Sequence, residues 1–251
     1  MGLFLAGVLG FTLVVGVHEF GHFTFCKIFN ISTPVFSIGF GPPIIHKKIG
    51  DTNFVLSAIP LGGYVEIRGM TDSWSSDTRI PHDATNPNSF ARRPYYQKLL
   101  VLLGGILFNL IFGFLLFWGL AWSKKAPAPE TEDNLNHPKN VSETAKNFKQ
   151  LFKAPGTRRL TGPIGILNIA MQSAAYGPRV YILFLAVLSI NLAFFNLLPI
   201  PVFDGGQLLL TTIEAIQGHS IAPHIRTAIT SITTIILLLG IVYITFRDIK
   251  N

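Results

Sequence analysis

Charge is scarce in this sequence. Asp, Glu, Lys and Arg make up 13% of the 251 residues, about half the share usual in soluble domains. Hydrophobic residues reach 49%, and the length of the uncharged runs sets aside a soluble enzyme with a large core. Cysteine occurs once, at Cys26, so an intrachain disulfide is excluded. No internal repeat is visible, which argues against the paired halves of a secondary transporter. The amino-terminal stretch lacks the basic region and small-residue cleavage site of a signal peptide and reads as a retained anchor. The net charge of +7 is scattered over loops that flank apolar runs. Positive charge in that position sets topology and meets anionic lipid, so no nucleic-acid partner is expected.

What the sequence has instead is four apolar runs. Residues 2–29, 99–122, 180–203 and 228–246 predict four membrane spans. The expected class is an all-α polytopic membrane protein, with a hairpin-like β element over residues 54–67 and a third helix broken at Pro199 and Pro201. A break at membrane depth is tolerated only where it lines a cavity or is covered by protein. Gly104, Gly105 and Gly113 in the second run predict close helix packing, and Asn109 an interhelical hydrogen bond. Residues 30–53 read as loop and short strand, and residues 70–94 as a solvated loop. Residues 124–160 turn abruptly to Lys, Pro, Asn and Glu and read as a linker. A short apolar helix at residues 162–177 is expected at the membrane surface.

The chemistry begins at His18-Glu19-Phe20-Gly21-His22, which follows the first apolar run without a break. Histidines at i and i+4 share one helix face and can grip one Zn²⁺, with the glutamate as general base toward the attacking water. Three ionisable groups in five positions of a membrane segment call for partners or a metal. Cys26 lies on the same face but roughly 12 Å along the axis from His18, too far to share a metal with it, and reads as a packing residue. A catalytic zinc wants a third protein ligand. Apart from Glu19, Asp204 is the carboxylate that stands beside an apolar span before the charged C-terminal tail. A carboxylate there also suits a helix cap or a turn before Gly205 and Gly206; beside the HExxH motif the ligand reading is preferred, as a site with two His, one carboxylate and an open fourth position.

These two motifs, His18-Glu19-Phe20-Gly21-His22 and Asn196-Leu197-Leu198-Pro199-Ile200-Pro201-Val202-Phe203-Asp204-Gly205-Gly206, together resemble the site-2 protease family of intramembrane zinc metalloproteases. Phe36-Ser37-Ile38-Gly39-Phe40-Gly41, Pro60-Leu61-Gly62-Gly63-Tyr64-Val65, Gly162-Pro163-Ile164-Gly165-Ile166 and Ser189-Ile190-Asn191-Leu192 are similar to the bacterial regulator-of-sigma-E protease branch. The resemblance implies His18, His22 and Asp204 as zinc ligands and Glu19 as catalytic base. It also implies Asn196 near the scissile bond with Asn191 beside it, although either asparagine also suits helix packing. The element with Gly62, Gly63 and Tyr64 is similar to the family's membrane-reentrant β-loop, whose edge takes an extended substrate by strand addition.

Two departures stand out. That branch usually carries PDZ domains between its second and third spans, where this chain has residues 124–160; and the family's Ala-Gly-Pro near the start of the second span reads Gly104-Gly105-Ile106. Lys and Arg number seven between residues 28 and 98 and eight between 124 and 159. Their density would make the second loop cytoplasmic, whereas the family places the HExxH end toward the cytoplasm; the first loop is too long for charge counting to decide, so the family orientation is preferred. The expectation is therefore a zinc endopeptidase of a bacterial inner membrane, cutting membrane-spanning segments of single-pass proteins or remnant signal peptides. A transporter, or a non-catalytic scaffold of the same fold, is the alternative; the scaffold would have no use for Glu19.

Overall fold

The apolar runs fold as helices because nothing else satisfies their backbone groups in hydrocarbon. In the computed structural model, which describes residues 2–70, 86–123 and 163–250, these are α1 (Gly2–Ile28), α2 (Tyr95–Trp122), α4 (Pro178–Asn196) and α6 (Pro223–Lys250). All four are long and apolar enough to cross a membrane. Between them lie α3 (Pro163–Ala175) and α5 (Asp204–Gln217). Local signals set their ends. Pro178 opens α4 after Gly177, whose φ is +103°, and Gly218, in the left-handed region, closes α5. The third apolar run stops being α-helical at Asn196, and Asp204 begins the next helix.

The fold is mostly helical, with a sheet larger than the expected hairpin: β1 (Val35–Ile49) and β2 (Thr52–Val65). The stretch expected as loop and short strand contributes all of the longer β1, because Gly39 and Gly41, at φ +90° and +87°, let the strand bend back on itself. Residues 35–38 consequently lie between two parts of β2. They pair with Asn53 to Leu56 on one side and with Gly63, Tyr64 and Val65 on the other, while Ile45 to Ile49 pair with Leu56 to Thr52. The Glu66 amide donates to the Val35 carbonyl at 2.9 Å. By antiparallel alternation Tyr64 then faces Ser37 with its backbone groups, and those of Gly63 and Val65 turn outward. Thr12 of α1 donates to the Pro60 carbonyl and so ties the sheet to the first helix.

Two apolar clusters bracket the centre. Cys26, Ile31, Phe36, Val65, Val101 and Leu102 join α1, the sheet and α2. Cys26 is fully buried there, as a packing residue. Val14, Ala170, Phe184 and Leu185 join α1, α3 and α4. Thus α3 packs through Ala170 against α1 and α4. The linker at 124–160 and residues 71–85 of the loop expected at 70–94 lie outside the described residues; its last part is not all solvated, since Ser89 and Phe90 are buried, Phe90 in the first of these clusters.

Candidate metal centre

One turn of α1 separates His18 from His22, and both rings are buried, at 6% and 7% exposure. Their Nε2 atoms approach to 3.2 Å. The irregular chain after α4 brings Asp204 against them: its Oδ2 is 3.0 Å from His18 Nε2 and 3.4 Å from His22 Nε2. Residues distant in sequence thus meet at one point, and they can hold a metal ion.

The close approach of α1 and α2 makes room for this. A Cβ on Gly21 would collide with the Gly104 backbone, and one on Gly104 would lie 2.7 Å from the Gly21 carbonyl oxygen. Gly105 faces the rings themselves, where a Cβ would sit 2.6 Å from His18 Cε1 and 2.7 Å from His18 Nδ1. The expected close helix packing is found, and its purpose is to admit the imidazoles. On the other side, Cβ atoms on Gly205 and Gly206 would strike the carbonyls of Leu197 and Ile200. Gln207 Nε2 donates to the Pro201 carbonyl at 2.7 Å, while Arg226 of α6 donates to Gln207 Oε1 at 2.7 Å and pairs with Glu214 at 3.3 Å.

The donor set fits zinc. His22 Nδ1 lies 2.8 Å from the Val101 carbonyl, which fixes its proton there and leaves the Nε2 lone pair pointing at Asp204. Asp204 Oδ2 is buried against the two ring nitrogens. Two imidazole nitrogens and a carboxylate oxygen this close together suit a cation held between them. The 3.0 to 3.4 Å spacings match the edge of about 3.3 Å expected for a tetrahedron with bonds of ~2.0–2.1 Å to nitrogen and oxygen.

A cavity of about 280 Å³ opens on this point, lined by His18, Glu19, His22, Gly63, Tyr64, Val65, Asn196 and Asp204 among others. The Val65 backbone N–H is a hydrogen-bond partner of Glu19, and a Cβ on Gly63 would lie 3.4 Å from Glu19 Cγ. Asn196 lines the cavity and donates to the Leu192 carbonyl at 3.0 Å. Asn191 is exposed and is not among the lining residues. Gly62 stands behind the lining, where its missing Cβ leaves space for the Phe40 ring, itself stacked on Tyr64 with centroids 6.4 Å apart. Sequence reasoning missed Phe40, Gln207 and Thr230, which also line the cavity. Gln207 alone carried a signal, one helical turn beyond Asp204 on the same face.

The sequence matches the model of peptidase family M50 over residues 6–240. A protein of Helicobacter pylori (strain ATCC 700392 / 26695) named "Putative zinc metalloprotease" is 40% identical over 119 residues, which is 47% of this chain and 33% of the relative. The chain therefore spans about a third of the length of that relative. Relatives of the same kind of name from Clostridium perfringens and Synechocystis are 25% and 22% identical, covering 96% and 98% of this chain and 97% and 94% of their own length. The Clostridium alignment runs over 334 positions, more than the 251 residues here, so that relative carries residues with no counterpart in this chain.

Proposed function

The chain belongs to peptidase family M50, and we propose that it is a membrane-embedded zinc endopeptidase that hydrolyses peptide bonds within membrane-spanning segments. One observation carries the reading: ligand atoms of His18, His22 and Asp204 converge on one buried point, with Glu19 beside it in the same cavity.

In this reading His18 Nε2, His22 Nε2 and an Asp204 oxygen hold the ion. Bound zinc supplies Lewis acidity toward water and the scissile carbonyl. Glu19 takes the proton from the attacking water on its carboxylate and passes it to the leaving amide nitrogen. The Val65 amide, a partner of Glu19, keeps that carboxylate facing the cavity. A substrate helix hides its carbonyls in its own hydrogen bonds and has to be unwound locally. The outward backbone groups of Gly63, next to Glu19, offer an edge on which the extended segment adds as a strand, with Tyr64 beside it. Asn196, which lines the cavity, contacts the substrate backbone in this reading.

The substrates are single-pass membrane proteins already trimmed elsewhere, or remnant signal peptides. The protein is a four-span protein of a bacterial inner membrane with the site toward the cytoplasm, and residues 124–160 stand where PDZ domains sit in similar proteases.

Reconstitution with a panel of transmembrane substrates tests this. Wild-type protein cleaves at least one, chelation of the metal abolishes cleavage, and Glu19→Gln lowers the rate by roughly 10²–10⁴-fold while still binding zinc. Equal cleavage by Glu19→Gln would sink the assignment of the base.

A further inference from the structure

Asn109 of α2 is fully buried, at 0% exposure. Its side chain stands against the ring nitrogen of His18 that points away from Asp204: Nδ2 of Asn109 and Nδ1 of His18 are 3.3 Å apart. The other end of the amide, Oδ1, is buried without a partner. The backbone of the same turn is anchored, since Ser189 of α4 donates to the Asn109 carbonyl at 2.8 Å. A buried amide with one end unused is costly, and in a membrane core it calls for a reason.

The two ends of an amide are nearly the same size, so a half-turn exchanges them without moving a neighbour. With Nδ2 on His18 Nδ1, the imidazole carries its proton on Nε2, where it faces Asp204. With Oδ1 there, the proton sits on Nδ1 and the Nε2 lone pair faces Asp204 instead. Only the second arrangement ligates a cation. His22 already shows it: its Nδ1 is held by the Val101 carbonyl, also from α2.

We propose that Asn109 is a positioning residue for His18, accepting the Nδ1–H on Oδ1, so that α2 sets the tautomer of both histidines, through a backbone carbonyl for His22 and a side chain for His18. The proposal rests on the zinc centre described above. It adds that the second helix, which contributes no ligand, decides how tightly the first helix holds the ion.

The test is zinc affinity, measured by chelator competition in detergent, for wild type, Asn109→Leu and Asn109→Asp. Losing the orienting acceptor in Asn109→Leu weakens zinc binding 10–100-fold, as outer-shell substitutions do, and the carboxylate of Asn109→Asp, which accepts the same Nδ1–H, restores it to within about threefold. A folded Asn109→Leu protein with wild-type zinc affinity, or an Asn109→Asp protein no better than Asn109→Leu, overturns the role of Asn109 and leaves the zinc centre standing. Failure of the wild type to bind zinc overturns the centre itself. If Asn109→Leu does not fold, the ¹⁵N spectrum of the histidine-labelled, zinc-free wild type decides. A proton on Nδ1 of His18 supports the proposal; its absence there refutes it.

Discussion

The metal centre has two halves built on different principles. His18 and His22 ride on one regular helix, one turn apart, and a second helix lies so close that Gly21 and Gly104 admit no side chain between them. Asp204 hangs from irregular chain, the first residue of α5 after residues 197–203. Its position depends on individual struts: Gly205 and Gly206 packed on carbonyls, Gln207 on Pro201, and Arg226 on Gln207. The helical half is stiff because whole helices would have to separate to move it. The loop half is assembled from contacts that can be removed singly. Damage to the helical half should therefore be abrupt, and damage to the loop half graded.

The ligands come first, because both halves lose everything when an electron-pair donor goes. Asp204→Ala and His22→Ala are each expected to weaken zinc binding by more than the 10–100-fold typical of outer-shell changes, on the order of 10³-fold. Metal analysis after purification measures it. Full retention of zinc by Asp204→Ala would place the third ligand elsewhere.

Next is a substitution that attacks only the helical half. In Gly105→Ala the new Cβ falls within 2.6 Å of the His18 ring and closer still to His22 Nε2, so α1 and α2 must separate or the rings must turn. Overpacking of this kind costs about 1–3 kcal/mol, and because both histidines are displaced together the zinc affinity should fall by roughly 10–100-fold. Wild-type affinity in a folded Gly105→Ala protein would show that the helical half yields more easily than its packing suggests.

Gly63→Val leaves both halves in place and blocks the edge that faces them. The added side chain meets the Ser37 carbonyl, 2.7 Å from where its Cβ would sit, and crowds Glu19. Turnover of a helical substrate is expected to fall about tenfold or more, with zinc affinity unchanged within about twofold, since strand addition depends on the backbone groups there. Unchanged turnover removes the edge from the mechanism.

The same contrast explains what was legible in the sequence. The helical half could be read directly, because an i, i+4 pair inside an apolar run specifies helix, face and chemistry at once. Asp204 could be picked out as a carboxylate beside the break at Pro199 and Pro201, but its partners could not. Gln207 meets Pro201 and Arg226 only after the chain has folded back. The sequence suggests only a hairpin over residues 54–67 because Pro42 and Pro43 mimic a loop; the backward bend at Gly39 and Gly41 that puts residues 35–38 between two parts of β2 has no local signature. Asn109 reads as an interhelical hydrogen bond and makes one, but that its partner is the His18 ring of α1 needs the fold. Spacing reports what lies on one element, and contacts across elements need the fold.

The smallest effect belongs to the outermost strut. Arg226 sits on α6, whose apolar face is largely exposed in the isolated chain, and reaches Gln207 Oε1 at 2.7 Å and Glu214 at 3.3 Å. Arg226→Met keeps the apolar stem and removes the guanidinium. Gln207 still donates to Pro201, so Asp204 keeps its nearest support, and the loss is one hydrogen bond to a charged group two steps from the ion, worth about 1.5–3 kcal/mol at its own site. Only part of that reaches Asp204, and zinc affinity should fall by no more than a few-fold. Gln207→Leu, one step nearer, should cost more than Arg226→Met and less than Gly105→Ala. Chelator competition on the three variants orders them directly. If Arg226→Met weakened zinc as much as Gly105→Ala, the loop half would be a single rigid unit, and the distinction between a stiff and a graded half would fail.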